Sequence, residues 1–193
     1  MDSRKPRSST AWVVDSIPLK DEDIPLFTKK EKKLRQLKAY ESSNNRITGD
    51  KVVIEYLKDS IDDIWKEKPV YLHGDFHPGN LIYTDKKRIG VIDYNRWEVG
   101  DRFEEFYKIE SFGVEISVPF AISMIDSYFN TSIPSSFWRA FAFYSLHAAL
   151  YSIKWAEKFG EEEVKNMKKR GERILSDFKD LSSPIPSWYI MEK

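Results

Sequence analysis

Residues 69–97 read PVYLHGDFHPGNLIYTDKKRIGVIDYNRW. Two of the three histidines of the chain, His73 and His77, stand either side of Asp75 in this stretch, and a second aspartate, Asp93, closes its last apolar run. The period here is that of β structure. PVYL (69–72), LIYT (81–84) and RIGVID (88–93) are short β-rich runs, and DKK (85–87) fits a tight turn between the second and third. The stretch therefore reads as a strand, a loop and a hairpin. A hairpin returns its second strand to where the first began, which brings Asp93 back toward Asn80, with Asp75 across the same loop. Two carboxylates and one amide oxygen are hard ligands, suited to Mg²⁺ shared with phosphate oxygens.

Outward from this insert the chain is helical. LFTKKEKKLRQLKAYESS (26–43) is rich in helix formers and free of Gly and Pro. From Lys51 to about Lys66, apolar Val53, Ile54, Leu57, Ile61 and Ile64 recur at three- and four-residue steps, the mark of an amphipathic helix. Beyond RWEVGD, helices are predicted over 102–109, over 118–130, from Ser135 to Phe159, and over 161–181 after the helix-stopping Gly160. The helix from Ser135 is apolar on nearly every side through Phe137, Phe141, Tyr144, Leu146, Leu150 and Ile153, which predicts a buried centre. The first dozen residues, 1–12, read as a flexible polar end, and 13–193 as one unit. The expected class is α+β, mainly α.

Composition excludes several functions. The 193 residues hold 41% hydrophobic and 15% aromatic side chains, a globular balance. Lys+Arg and Asp+Glu are equal at 31 each, which gives no argument for nucleic acid or a membrane surface. The basic KKEKKLRQLK segment reads as a solvated helix face. With no Cys there is no disulfide, thiolate metal site or thiol nucleophile, as suits a cytoplasmic protein. The N-terminal apolar run AWVV is too short for a signal-peptide core, and the most apolar stretch, AFAFYSLHAALYSI (140–153), falls short of a membrane span. A dinuclear metallophosphatase, suggested by GDFH, would need further histidines, and only His147 remains. A P-loop is absent.

HGDFHPGN followed by GVIDYN resembles the catalytic loop and metal-binding strand of the aminoglycoside phosphotransferase family, the small-molecule branch of the protein-kinase-like fold. The resemblance extends from about Val13 to the C-terminus, with DSIPLKDEDIP similar to the link after the family's first large-lobe helix and PIPSWY to the ending of some bacterial members. It implies ATP and Mg²⁺ as cofactors and the hydroxyl of a small molecule as acceptor. Asp75 would be the catalytic base, in a catalytic loop of residues 73–80. Asn80 and Asp93 would hold Mg²⁺ on the nucleotide phosphates, Asp93 at the end of a metal strand 88–93. His73 and Asp101 would support the loop, His77 would shape it, and the helices of 103–180 would form the acceptor subdomain. Tyr94 and Asn95 stand where protein kinases carry Phe-Gly, and Asn tolerates left-handed backbone.

Isolated residues have plainer readings. His147 is expected as a hydrogen-bonded core histidine, and Trp97 and Trp138 as packing. Glu104, Glu157, Glu161 and Glu162 offer carboxylates to a cationic acceptor, although helix charges ordinarily face solvent.

The departure from the family lies at the front. Its small lobe clamps ATP with a β-sheet, a strand lysine and a covering loop. No Gly-rich loop or lysine in a β context precedes His73. Losing even one such preorganised donor costs roughly 10²–10³ in rate. The chain thus resembles the large lobe alone, with the small N-terminal lobe supplied by another chain or by a longer reading frame. The alternative is a truncated, non-catalytic lobe that serves as a binding remnant and exposes the apolar surface its partner would cover.

Overall fold

The computed structural model describes residues 26–66, 68–84, 88–130 and 132–191. The expected flexible segment 1–12, the DSIPLKDEDIP link and the DKK turn lie outside the described residues. Six helices carry most of the architecture: α1 (Leu26–Glu41), α2 (Asp50–Ser60), α3 (Val118–Phe129), α4 (Ser135–Ala156), α5 (Glu161–Asp177) and α6 (Ser187–Met191). Four three-residue strands, β1 (Val70–Leu72), β2 (Leu81–Tyr83), β3 (Ile89–Val91) and β4 (Glu98–Gly100), form two antiparallel pairs. No described helix is long and apolar enough to cross a membrane.

α4 is the centre, as its pattern predicts. Phe137, Phe141, Phe143, Tyr144, Leu146, Leu150 and Ile153 are fully buried, and α1, α2 and α5 pack around it. Each such side chain contributes about 1.5–3 kcal/mol on leaving water. α1 is turned back into α2 by Asp50, whose carboxylate takes the Tyr40 hydroxyl (2.8 Å) and both forks of Arg46 (2.8 and 2.9 Å). α2 ends at Ser60, earlier than the apolar pattern suggests, but Ile61 and Ile64 remain buried in the turns beyond it. After α4, a 3₁₀ turn (Glu157–Phe159) runs to Gly160, whose φ of +102° separates it from α5.

Two local expectations are corrected. RWEVGD carries no strand pattern and leads into an expected helix, yet Glu98–Gly100 is β4, paired with β1 in the register Val70–Gly100, Tyr71–Val99 and Leu72–Glu98. The expected helix over 102–109 is instead a 3₁₀ turn (Glu104–Phe106) followed by a π-helical turn (Ile109–Gly113). Tertiary packing explains this. Phe103 and Phe106 are drawn into a ring cluster with Tyr128, Phe129 and Phe137, at centroid separations of 4.7 to 6.4 Å. Three-residue spacing between the two anchored rings suits the tighter turn.

The C-terminal segment is fastened by a buried carboxylate. Glu110 in the π turn accepts from Trp188 Nε1 (2.8 Å) and Arg173 Nη1 (2.8 Å). Trp138 is buried against Tyr189, so it packs as expected.

His147 also behaves as the plainer reading has it: it is buried, and its Nε2–H donates to the Lys33 carbonyl (3.1 Å), tying α4 to α1. Burial, then the Lys33 charge, push its pKa down from 6.5 to about 3. The unfolded chain takes a proton near pH 6.5 that the folded chain refuses. Stability is complete above that pH and falls as pH drops toward 3, by about 1.4 kcal/mol per unit. His147→Gln retains a donor without the titration. In urea unfolding between pH 7.5 and 5, wild type is expected to lose about 2 kcal/mol more than this variant; equal losses would contradict the assignment.

Candidate active site

β1 delivers the chain into the loop, and a single carboxylate catches it there. Glu105 Oε2 accepts the His73 amide (2.6 Å), while Oε1 accepts those of Gly74 (3.1 Å) and Phe76 (3.4 Å). Gly74 is left-handed at φ +76°, and a Cβ there would collide with the Arg96 carbonyl oxygen. The loop thus turns tightly beneath the segment that follows β3.

His73 completes the crossing. The Asp75 amide donates to its Nδ1 (3.2 Å), so the ring carries its proton on Nε2, which donates to the Ile92 carbonyl (2.9 Å). The Ile92 amide in turn donates to the Asn80 carbonyl (3.0 Å). β2 and β3 pair as the predicted hairpin, Leu81 opposite Val91. Both ends of the 73–80 loop are therefore tied to Ile92, and Asp93 is the next residue. Asn80 spends Nδ2 on the Asp75 carbonyl (2.9 Å), which fixes the amide so that Oδ1 is its acceptor atom. The His77 Nδ1 accepts the Gly79 amide (3.1 Å), a loop-shaping bond at the start of the turn Pro78–Asn80.

Asp93 is exposed and left-handed (φ +67°, ψ +53°), with no hydrogen bond or ion pair to a described residue. Left-handed backbone is where Asn95 was expected to be useful; it falls on Asp93 itself, a residue type that adopts this conformation more readily than most. Trp97 is 62% exposed beside Tyr71, so the packing expected of it is not core packing.

Asp75 sits in a tight electrostatic setting. Lys108 Nζ lies 2.6 Å from Oδ1, Arg96 Nη1 3.7 Å from Oδ2 and His77 Nε2 3.9 Å from Oδ1. Burial would raise the Asp75 carboxyl, but the Lys108 bond and charge, then Arg96 and His77, outweigh it and hold it below the usual carboxylate range. Burial lowers the pKa of His77, which is neutral at neutral pH.

Asp101 reaches the loop only indirectly. Asp101 bonds the Phe103 amide (2.9 Å) and the Tyr144 hydroxyl (2.9 Å), joining the 3₁₀ turn to α4. The loop amides go to Glu105. Spacing could not separate Glu104 from Glu105, because neighbouring residues of one turn point in different directions. Lys108 was missed because a lone lysine in an apolar run carries no signal of its own. Glu104, offered to a cationic acceptor, faces Lys33 (2.7 Å) and Lys29 (3.7 Å). Burial would raise its carboxyl, yet these cations bring it to about 2.

A family model described as the phosphotransferase enzyme family, APH, matches residues 14–143. The chain belongs to this family. No curated protein sequence matches it. Among solved structures, a choline/ethanolamine kinase family protein from Mesorhizobium loti superposes with a TM-score of 0.64 at 13% identity, over 94% of this chain and 62% of that one. The gentamicin-APH(2")-IIa complex gives a TM-score of 0.55 at 23% identity, over 83% of this phosphotransferase family member and 56% of the other chain. The chain thus spans about 62% and 56% of the lengths of these two relatives by fold.

Removing the Glu105 side chain would leave three amides without their acceptor. Glu105→Ala is expected to cost about 2–4 kcal/mol in denaturant unfolding, at 1–3 kcal/mol per stranded buried group with partial relaxation. Hydrogen exchange should accelerate selectively at His73, Gly74 and Phe76. Unchanged protection at those three amides would remove Glu105 from this role.

Proposed function

We propose that the chain is the large-lobe part, residues 13–193, of an ATP-dependent kinase that phosphorylates a hydroxyl of a small molecule. The observation that carries this reading is the knot at Ile92: His73 Nε2 on its carbonyl and the Asn80 carbonyl on its amide bind both ends of the 73–80 loop beside Asp93. The donor set of Asn80 Oδ1 and the unpaired Asp93 carboxylate fits Mg²⁺, which takes one or two protein oxygens and completes its shell with phosphate and water. No group of three or more His, Cys, Asp or Glu capable of holding a metal occurs among the described residues, which agrees with a cation shared with a nucleotide rather than one caged by the protein.

In this reading Asp75 accepts the hydrogen bond of the acceptor hydroxyl and aims its oxygen. Asn80 and Asp93 fix Mg²⁺, which bridges phosphate oxygens and neutralises charge during transfer. His73, held in one tautomer, and Glu105 keep Asp75 in register with Asp93. Helices of residues 103–180 wall the acceptor side. Use of ATP and the absence of cysteine suit the cytoplasm.

One observation favours a missing partner lobe. Ile82, Tyr83, Ile89, Ile92, Tyr94 and Trp97 are 40–70% exposed along the hairpin and the residues after it. So concentrated an apolar band suits a protein–protein contact. It supports seating of the small lobe there, from another chain or a longer reading frame; a purely binding remnant would present the same band. Without that lobe the nucleotide has only large-lobe contacts and binds weakly.

Calorimetry on the isolated chain is expected to give weak ATP binding that requires Mg²⁺ and disappears in Asp93→Asn. Affinity indifferent to Mg²⁺, or untouched by that substitution, would sink the metal assignment. Micromolar affinity would instead sink the requirement for a second lobe.

A further inference from the structure

Asp75 opens onto a cleft of about 360 Å³ walled by α1, α4 and α5. Its charges are unequal. Among the described residues three carboxylates line it, Asp75, Glu98 and Glu104, against five cations, Lys32, Lys33, Arg96, Lys108 and Arg170. Each carboxylate is already met by a lysine: Asp75 by Lys108 (2.6 Å), Glu98 by Lys29 (2.6 Å) and Glu104 by Lys33 (2.7 Å). Arg170 is engaged bidentately by Glu115 (2.8 and 2.9 Å). That leaves Lys32, 3.3 Å from a Glu98 that Lys29 already neutralises, and Arg96, 59% exposed and no closer to Asp75 than a solvent-weakened 3.7 Å.

Of the acidic residues offered to a cationic acceptor, Glu104 is already met by Lys33 in this cleft and the others lie outside its lining. Glu157 and Glu161 line a separate depression at the α4–α5 junction, where Glu157 bonds Ser43 and Lys154. A cationic acceptor would have to displace Lys108 from Asp75. Lys108 is ill placed to move: its side chain is 9% exposed, with the ammonium 5.2 Å from the ring centres of both Tyr107 and Phe112. Around Asp75 itself, one negative charge faces two positive ones.

We propose that the acceptor of this site is an anion, a small molecule carrying a carboxylate or phosphate group close to the hydroxyl that faces Asp75. Lys108 and Arg96 are its counter-ions, Lys32 marks the outer end of the same positive wall, and Tyr151 and Trp155 offer apolar faces to its carbon skeleton. The inference rests on the reading of Asp75 as the acceptor-facing group. It narrows that reading to a substrate class opposite in charge to the cationic acceptor to which Glu104, Glu157, Glu161 and Glu162 offered carboxylates. The transferring phosphoryl group shares the same chemistry, so the test must separate acceptor from donor. Donor phosphates depend on Mg²⁺ at Asp93, whereas an acceptor anion held by Lys108 and Arg96 does not.

The probes are glycerol 3-phosphate and glycerate as anions, glycerol as the neutral control and choline as the cation, titrated calorimetrically into the full chain without nucleotide. The anions are expected to bind in the millimolar range, with or without EDTA, and the other two not at all. Arg96→Gln, at an exposed position, and Lys108→Met should each weaken anion binding about tenfold, the loss of one short charge-assisted contact. Lys108→Arg, which keeps the charge, should restore most of it and guards against a variant that merely fails to fold. Choline binding as well as the anions, anion binding indifferent to both neutral variants, binding only in the presence of Mg²⁺, or no anion binding would each overturn the proposal. Anion binding that survives while Mg²⁺-dependent nucleotide binding proves absent would leave the anion site at Lys108 and Arg96 standing and overturn its reading as a kinase acceptor site.

Discussion

Three amides that turn toward one side of a loop need one acceptor, and the Glu105 carboxylate is that acceptor. Its position is itself a product of the helical core. Phe103 and Phe106 are fixed among the rings of α3 and α4, and the turn between them can present Glu105 in only one direction. The loop of Asp75 is therefore not a free excursion from a hairpin. It is hung from the aromatic centre through one side chain, and a change in the packing of Phe137 would be felt 30 or more residues away in sequence.

The same short segment distributes charge in three directions. Glu104 turns to the α1 lysines, Glu105 to the loop amides and Lys108 to Asp75. Buried ion pairs of this kind contribute little net stability, because desolvation takes back most of the Coulomb gain. What they give is register: an inward carboxylate that misses its lysine is strongly penalised, so α1 can dock on the 3₁₀ turn in few ways. Asp101, bonded to Tyr144, adds a neutral-donor version of the same constraint. Together they place the loop relative to α4 far more narrowly than apolar contact would.

The legible part of this molecule was the part governed by period and local chemistry. α4 announced itself through a run of apolar residues on every side, and the β2–β3 hairpin through two short runs about a turn, with Asp93 brought back beside the Asn80 end of the loop as the hairpin geometry required. The family was legible in HGDFHPGN and GVIDYN. β4 was not, since three residues with a single apolar side chain carry no alternation and exist as a strand only because β1 lies alongside. Glu105 and Lys108 were hidden for a related reason. Their importance lies in what faces them across the fold, 29 to 33 positions earlier in the chain, and neither has a spacing rule. Asp101 was named through the family resemblance, yet its neighbours in space are an amide and a phenol.

The Lys108 pair also bears on what Asp75 can do. A general base works best with a pKa near the operating pH, and Asp75 is held in the opposite direction. Such a carboxylate removes protons poorly but accepts a hydrogen bond reliably and stays charged across the neutral range. Phosphoryl transfer through a loose transition state asks for that division of labour: the attacking oxygen must be aimed, while its proton becomes acidic only after the new bond has begun to form. In the proposed reading, Lys108 would cost the site little as a base and would keep a positive charge beside Asp75, where an incoming phosphoryl group brings negative ones. A chemistry that required early deprotonation, such as proton abstraction next to a carbonyl, would be poorly served by these same distances. The short Lys108 contact and the lowered Asp75 carboxyl suit hydrogen-bond acceptance better than early proton abstraction.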